Sequence, residues 1–370
     1  MTSVAVVGAG AVGVTAARHL ATGGADVTVY DREGVAAGAS GRAAGIVYDA
    51  FAEDTDAAVA ARAIEQFRAL AADGAITFDE RPYLWFARAG DRRRADAIRE
   101  QVPRMCDHGR DVTLLDGAAV AERLPGHDAD DVAVGALARD AACVDPAAYT
   151  EAVADRAADA GATIRTGTPV ALAESGTTVE TPDGPRSFDA VLLAAGAHSR
   201  DLLADVGVPI PVKPYRVQAC QTGSVAADLP IWYDATESYY ARPRDGGLLV
   251  GDGTEEREAD PDAYDRTADD DFVSVSLDRV TAAVGERPPV DRAWAGVCTA
   301  TPDRNPLVGP VERDGLFVAT GWHGHGFMRA PALGETVAGQ IRGGDGIDAF
   351  DPRRFEGDEE FAVIEGMTVE

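Results

Sequence analysis

Residues 4–7, Val-Ala-Val-Val, form a short unbroken apolar run, the pattern of a strand buried on both faces of a parallel sheet. A glycine-rich turn follows, and residues 14–21 then read as a helix ended by Gly23 and Gly24. A second apolar strand over 26–30 stops at the acidic Asp31. Further on, Val59, Ala63, Phe67 and Leu70 share one face of a helix expected over 54–72. Asp145 as N-cap and Pro146 in the first turn open another helix that runs to Gly161. A strand is expected over 162–170, then a small hairpin around Pro182, Asp183 and Gly184, then a buried strand over 189–196 that ends in glycine.

From Val212 the pattern changes. Alternating, aromatic-bearing segments at 217–222, 231–233, 238–242 and 248–251, with a turn at 245–247, predict antiparallel strands. Residues 316–320 return to a buried strand, and Leu333, Val337 and Ile341, four apart, mark a last helix. The predicted class is α/β: a discontinuous Rossmann-like domain over 1–80, 144–212 and 292–370, with an inserted antiparallel-sheet domain over 81–143 and 213–291.

The order strand, glycine turn, helix, strand, carboxylate carries chemistry. Gly8 permits a tight turn, Gly10 lets the backbone approach a pyrophosphate, and Gly13 seats the helix close to the sheet, with Ala9, Ala11 and Val12 between them. A pyrophosphate would meet the N–H groups of the helix N-terminus. Asp31 is placed for a ribose diol, and it disfavours a 2′-phosphate there.

Composition narrows the classes. The 370 residues carry 62 acidic and 34 basic side chains, a net charge of −28, and Lys213 is the only lysine. Such a surface repels nucleic acid. Cys106, Cys143, Cys220 and Cys298 are widely spaced and suggest neither a disulfide framework nor a zinc site, and no other metal site is expected. No apolar run is long enough for a membrane span, and the start lacks the basic region of a signal peptide, so a cytoplasmic location is expected.

Four separated motifs in this order resemble the D-amino-acid oxidase, sarcosine oxidase and glycine oxidase family of FAD-dependent enzymes. They are the Gly8 to Asp31 unit, the small-residue segment 38–45, the strand 189–196, and the stretch from Thr301-Pro302-Asp303 through 319–331. The resemblance implies FAD, with its adenosine at the fingerprint, Asp31, Arg32 and Val170. It places Ala195 and Gly196 on the second FAD-contacting strand. It lays the flavin against Ser40, Arg42, Ala43, Ala44 and Gly45 and against Gly321, Gly324, His325, Gly326, Phe327 and Met328. Of the two histidines in that loop, His325 is the stronger candidate for contact with flavin or substrate, ahead of His323. The positive end of the last helix would favour the negative charge of a reduced flavin.

A substrate carboxylate calls for a guanidinium. Arg242, Arg329, Arg216 and Arg42 are candidates, and Tyr240 matches a tyrosine that sarcosine oxidases place in the pocket, whereas Tyr239 reads as core. Three positions depart from that pattern. The cysteine that carries FAD in some relatives falls on Gly296, two residues before Cys298. The lysine that activates oxygen is absent from 248–250. Residues 46–48 lack a substrate arginine. The expected activity is oxidation of the C–N bond of a small amino acid (glycine, sarcosine, or another secondary or D-amino acid), with oxygen or an unidentified carrier taking the electrons. Alternatives are an FAD-dependent dehydrogenase of a 2-hydroxy acid or glycerol phosphate, and a flavin subunit of a larger amine-oxidising complex. A plain NAD-dependent dehydrogenase leaves the glycine-rich return at 321–326 unexplained.

Dispersed acidity with arginine in place of lysine matches adaptation to a high-salt cytoplasm, where short screening lengths silence self-repulsion. Thermal unfolding should accordingly shift upward by several degrees in molar KCl; equal midpoints with and without salt would refute that reading.

Overall fold

A computed structural model describes residues 2–225, 228–251 and 254–364, so the end of the 292–370 segment lies partly outside the described residues. The first sheet has six strands in the order Leu307–Pro310, Leu316–Thr320, Ala190–Leu193, Ser3–Val7, Asp26–Tyr30 and Thr163–Arg165. All neighbours are parallel except the first pair. The apolar runs are continuous because both faces are covered. Val4, Val6, Val27, Val29 and Leu192 join the core beneath one set of helices, while Ala5, Val7, Tyr30, Val191 and Leu193 join a second core opposite.

The helix after the glycine turn is Ala11–Thr22, beginning three residues earlier than the sequence pattern suggests. Its early start follows from a bond outside the local sequence: the Ala11 N–H donates to the Ser40 hydroxyl at 2.9 Å. Helix Asp54–Ala72 has the expected limits. In helix Pro146–Asp159 the Asp145 carboxylate caps the Ala148 N–H at 2.9 Å. The strand expected over 162–170 is cut short. Gly167 turns at φ +61° and Pro169 offers no N–H, so the chain leaves the sheet and rejoins a separate hairpin sheet at Ala171–Leu172.

The second sheet has eight strands in the order Val290–Ala300, Lys213–Thr222, Gly247–Gly251, Tyr239–Arg244, Ile231–Asp234, Tyr83–Arg88, Val132–Ala138 and Val112–Leu115. One pair, Ile231–Asp234 with Tyr83–Arg88, is parallel, which the purely antiparallel expectation missed. These two strands come from distant stretches of chain, so no hairpin forces them antiparallel. The turn at Asp245 (φ 52°) and Gly246 (φ 78°) is the predicted tight one.

Helix Gly326–Ile341 crosses helix Ala11–Thr22 with almost no space between them. A Cβ on Gly334 would lie 2.6 Å from the Thr15 Cβ. Gly334→Ala should therefore destabilise the chain by about 2 kcal/mol through overpacking, read as a lower denaturant midpoint at unchanged slope.

Candidate active site

The first sheet's strands end at a cavity of about 560 Å³ that the second sheet roofs. At one end three strand tips are drawn together: the Gly8 N–H donates to the Tyr30 carbonyl and the Ala194 N–H to that of Val7, each at 2.8 Å. Gly8 has φ +110°, and a Cβ there would lie 2.3 Å from the Ala194 oxygen. A Cβ on Gly13 would lie 2.0 Å from the Gly8 oxygen. Asp31 accepts from the Ala9 N–H through one oxygen (2.8 Å) and from Glu33 and Gly34 through the other (2.8 and 3.0 Å). It therefore pins the glycine loop as well as lining the cavity.

Among the expected cofactor positions, Gly8, Gly10, Ala11, Val12, Asp31 and Arg32 line this end. Ser40, Arg42, Ala43, Ala44 and Gly45 also line it, as do Val170, Ala195 and Gly196. Gly324, His325, Gly326, Phe327 and Met328 line the far end together with Tyr240. Ala9, Gly13 and Gly321 stand behind the wall and shape it. Gly321, at φ +83°, sits where a Cβ would come within 2.5 Å of the Thr301 methyl.

The far loop is clipped to strand Val290–Ala300 of the other sheet. The Thr299 hydroxyl accepts from Gly321 (3.1 Å) and Trp322 (3.0 Å), and the Thr299 carbonyl accepts from His323 (2.9 Å). The His323 Nε2 accepts the Thr301 N–H at 2.7 Å, so the ring proton sits on Nδ1. Burial pulls the His323 pKa down to about 4. His325 is lowered to about 3 by burial and by the neighbouring Arg329 charge, so both rings stay neutral near pH 7. The Cys298 thiol, also in the wall, is pushed up to about 11 by burial and stays protonated.

Three of the four candidate arginines lie outside the cavity lining. Arg242, 4% exposed, donates from Nε to the Ala44 carbonyl and from Nη1 to that of Pro243 (3.0 Å), so it props the wall from behind. Arg329, 6% exposed, pairs with Asp56 at 3.1 Å and covers the Phe51 ring, tying the last helix to helix Asp54–Ala72. Arg216 spends its guanidinium on Glu255, Asp269 and the carbonyls of Asp265 and Thr267. Only Arg42 faces the cavity, with Nη1 on the carbonyls of Ala37 and Gly38.

Sequence reasoning missed the aromatic wall. Tyr48 lines the cavity and stacks on Phe51 (5.0 Å) and Tyr83 (4.5 Å), and Tyr83 stacks on Trp85 (5.5 Å). The rings come from two segments, 48–51 and 83–85, that meet only in the fold, so no local spacing announces the wall as a whole. Tyr239, by contrast, is wholly buried beside Trp232, as expected of core.

A family model described as FAD dependent oxidoreductase matches residues 3–340. Glycine oxidase of Pseudomonas putida is 32% identical over 178 residues, which is 46% of each protein. The 4-methylaminobutanoate oxidase (formaldehyde-forming) of Paenarthrobacter nicotinovorans is 28% identical over 95% of this chain and 45% of its own length. The chain spans about half the length of these curated relatives. The crystal structure of L-proline dehydrogenase from P. horikoshii superposes with a TM-score of 0.87 at 26% identity, over 96% of this chain and 98% of that one. The chain belongs to the FAD-dependent oxidoreductase family.

The buried His323 gives the fold a pH dependence. An unfolded histidine titrates near 6.5, so between about 6.5 and 4 the unfolded chain binds the extra proton. Stability is full above that window and falls as pH drops through it, by at most about 1.4 kcal/mol per pH unit from this group. Urea unfolding at pH 7 and pH 5 should show the loss, and His323→Gln should shrink it; an unchanged difference would remove His323 as its source.

Proposed function

We propose that this member of the FAD-dependent oxidoreductase family oxidises the C–N bond of a small amino acid: glycine, sarcosine, or another secondary or D-amino acid. One observation carries the reading: a glycine cradle, a helix N-terminus and an aromatic-walled end meet in a single cavity. The cradle has the form FAD requires, because any side chain at Gly8 or Gly13 would strike backbone. When bound, FAD supplies what no side chain offers, accepting a hydride at N5 from the carbon beside the nitrogen.

In this reading Gly10, Ala11 and Val12 would hold the pyrophosphate and Asp31 the ribose, while residues 42–45 and 324–328 would hold the flavin ring. The chain's own residues then bind and orient. Arg42 anchors the substrate carboxylate, being the one of the four arginines that reaches the cavity. Tyr48, Tyr240 and Phe327 wall off water around the reacting carbon. His325, held neutral, adds no positive charge against an amine that must react unprotonated. The imine product hydrolyses after release. Lys213 donates to the Phe361 carbonyl at 2.7 Å and lies outside the cavity lining, so the chain brings no lysine to an oxygen site. A carrier is therefore the proposed electron acceptor.

The test is an absorption spectrum of the FAD-loaded protein in high salt, before and after anaerobic sarcosine. Bleaching of the two flavin bands is expected, and Arg42→Ala should need at least about tenfold more substrate for half-bleaching, since a charged hydrogen bond is lost. Bands that bleach with a 2-hydroxy acid and with no amine would reject the proposal.

A further inference from the structure

The second sheet also contributes a segment that returns over the nucleotide end of the cavity. Residues 254–269 leave strand Gly247–Gly251 and end where helix Asp270–Val284 begins. Within this strap Thr254, Pro261, Asp262, Tyr264 and Arg266 all line the cavity. They stand with Asp31, Arg32 and Glu33, at the end where the glycine cradle lies.

Both ends of the strap are gathered on one side chain. Arg216 holds Glu255 near the start and Asp269 at the finish, and takes the carbonyls of Asp265 (2.9 Å) and Thr267 (2.6 Å) between them. Backbone bonds from Glu255 to Arg216 (3.0 Å), Ala259 to Pro214 (2.8 Å) and Ala295 to Arg266 (2.8 Å) fasten its flanks to the sheet. Its middle is fastened across the cavity, to the other domain. One Asp262 oxygen takes Arg32 Nη1 at 2.8 Å and His198 Nε2 at 3.1 Å. Arg266 approaches Glu33 at 3.6 Å.

We propose that residues 254–269 are a clasp that retains the adenosine half of FAD, hinged on Arg216 and latched where Asp262 meets Arg32 and His198. The clasp rests on the FAD reading of the cavity and adds a binding element from the second sheet. The geometry explains why an acidic chain places Arg32 directly after Asp31: its guanidinium reaches Asp262 and draws the strap inward. A dinucleotide can leave an open crevice by one end; here that end is bridged by side chains from both domains. Latch residues are part-exposed (Arg32 41%, Asp262 63%), so each contact is weak alone and the closure is built to open.

The experiment uses the full chain loaded with FAD and follows cofactor fluorescence on dilution. Asp262→Ala should release FAD about fivefold faster than wild type, the size expected when two exposed charge contacts are lost. Asp262→Asn, which keeps the side chain's shape, should fall between the two. Asp278→Asn removes a surface partner of Arg287 away from the cavity and should match wild type. Limited trypsin digestion gives an independent readout: FAD should slow cleavage after Arg266 in wild type and much less in Asp262→Ala. Release of FAD by Asp262→Ala within twofold of wild type, with equal protection at Arg266, would overturn the clasp and leave the cofactor reading standing. A wild-type chain that takes up no FAD would instead overturn the cofactor reading, and the clasp with it.

Discussion

Two backbone contacts, Gly8 against the Ala194 carbonyl and Gly13 against the Gly8 carbonyl, set the geometry on which the cavity depends. They bring the tips of three parallel strands together, and the loops above those tips must then diverge, which opens a crevice at the carboxyl ends of the strands. They also fix the height of helix Ala11–Thr22 over the sheet. That height decides where helix Gly326–Ile341 can lie, because Gly334 meets Thr15 with no space for a side chain. The position of the last helix in turn fixes where the loop 321–326 emerges. Side-chain absence at a few points thus propagates from the nucleotide end of the cavity to the end where chemistry is proposed.

The second sheet completes what the first begins. Thr299 and Thr301 stand at the end of one of its edge strands and hold the far loop, the Thr299 hydroxyl accepting from Gly321 and Trp322 and the Thr301 N–H donating to the His323 ring. The strap from the same sheet closes the near end. Each half of the cavity is thus built where the two sheets exchange polar contacts, while one face of the second sheet shares the first sheet's apolar core (Tyr83, Trp85, Ile231 and Tyr233 cluster with Val4, Val6 and Val27) and the opposite face, with Leu84, Phe86, Trp232 and Val250, packs a core of its own. Placing the polar contacts at the cavity lets backbone groups face a polar ligand without being stranded in that shared hydrophobic interior.

Local order was legible in the sequence wherever local rules decide it. The fingerprint, the limits of helix Asp54–Ala72, the Asp145 cap and the turn at Asp245 and Gly246 all follow from spacing, capping and turn chemistry. The misreadings share one feature, a partner distant in sequence. Helix Ala11–Thr22 starts early because Ser40 meets its first N–H. The strand after residue 162 ends early at the Gly167 turn and Pro169, and there Gly167 and Thr168 are also drawn to the carbonyls of Glu33 and Asp31. The parallel pair in the second sheet and the stack of Tyr48 on Tyr83 arise only once separate segments of the chain meet.

The arginines show the same limit in a sharper form. In a chain with 62 carboxylates and a single lysine, a guanidinium near a motif is weak grounds for a binding role, because most have an acidic neighbour within reach. Arg216 and Arg329 are taken up by Glu255 with Asp269 and by Asp56, and Arg242 by carbonyls behind the wall. A buried charge stripped of such a partner would cost several kcal/mol, on the order given for isolated ions, so these pairings hold the walls before they can serve a ligand. Arg42 differs from Arg216 and Arg329 because its contacts to Ala37 and Gly38 are neutral carbonyls, with no acid among its described contacts, and from Arg242, which is also held by carbonyls, because it lines the cavity. An anionic ligand entering beside it would supply that missing charge, so the selection of Arg42 rests on charge balance as well as on position.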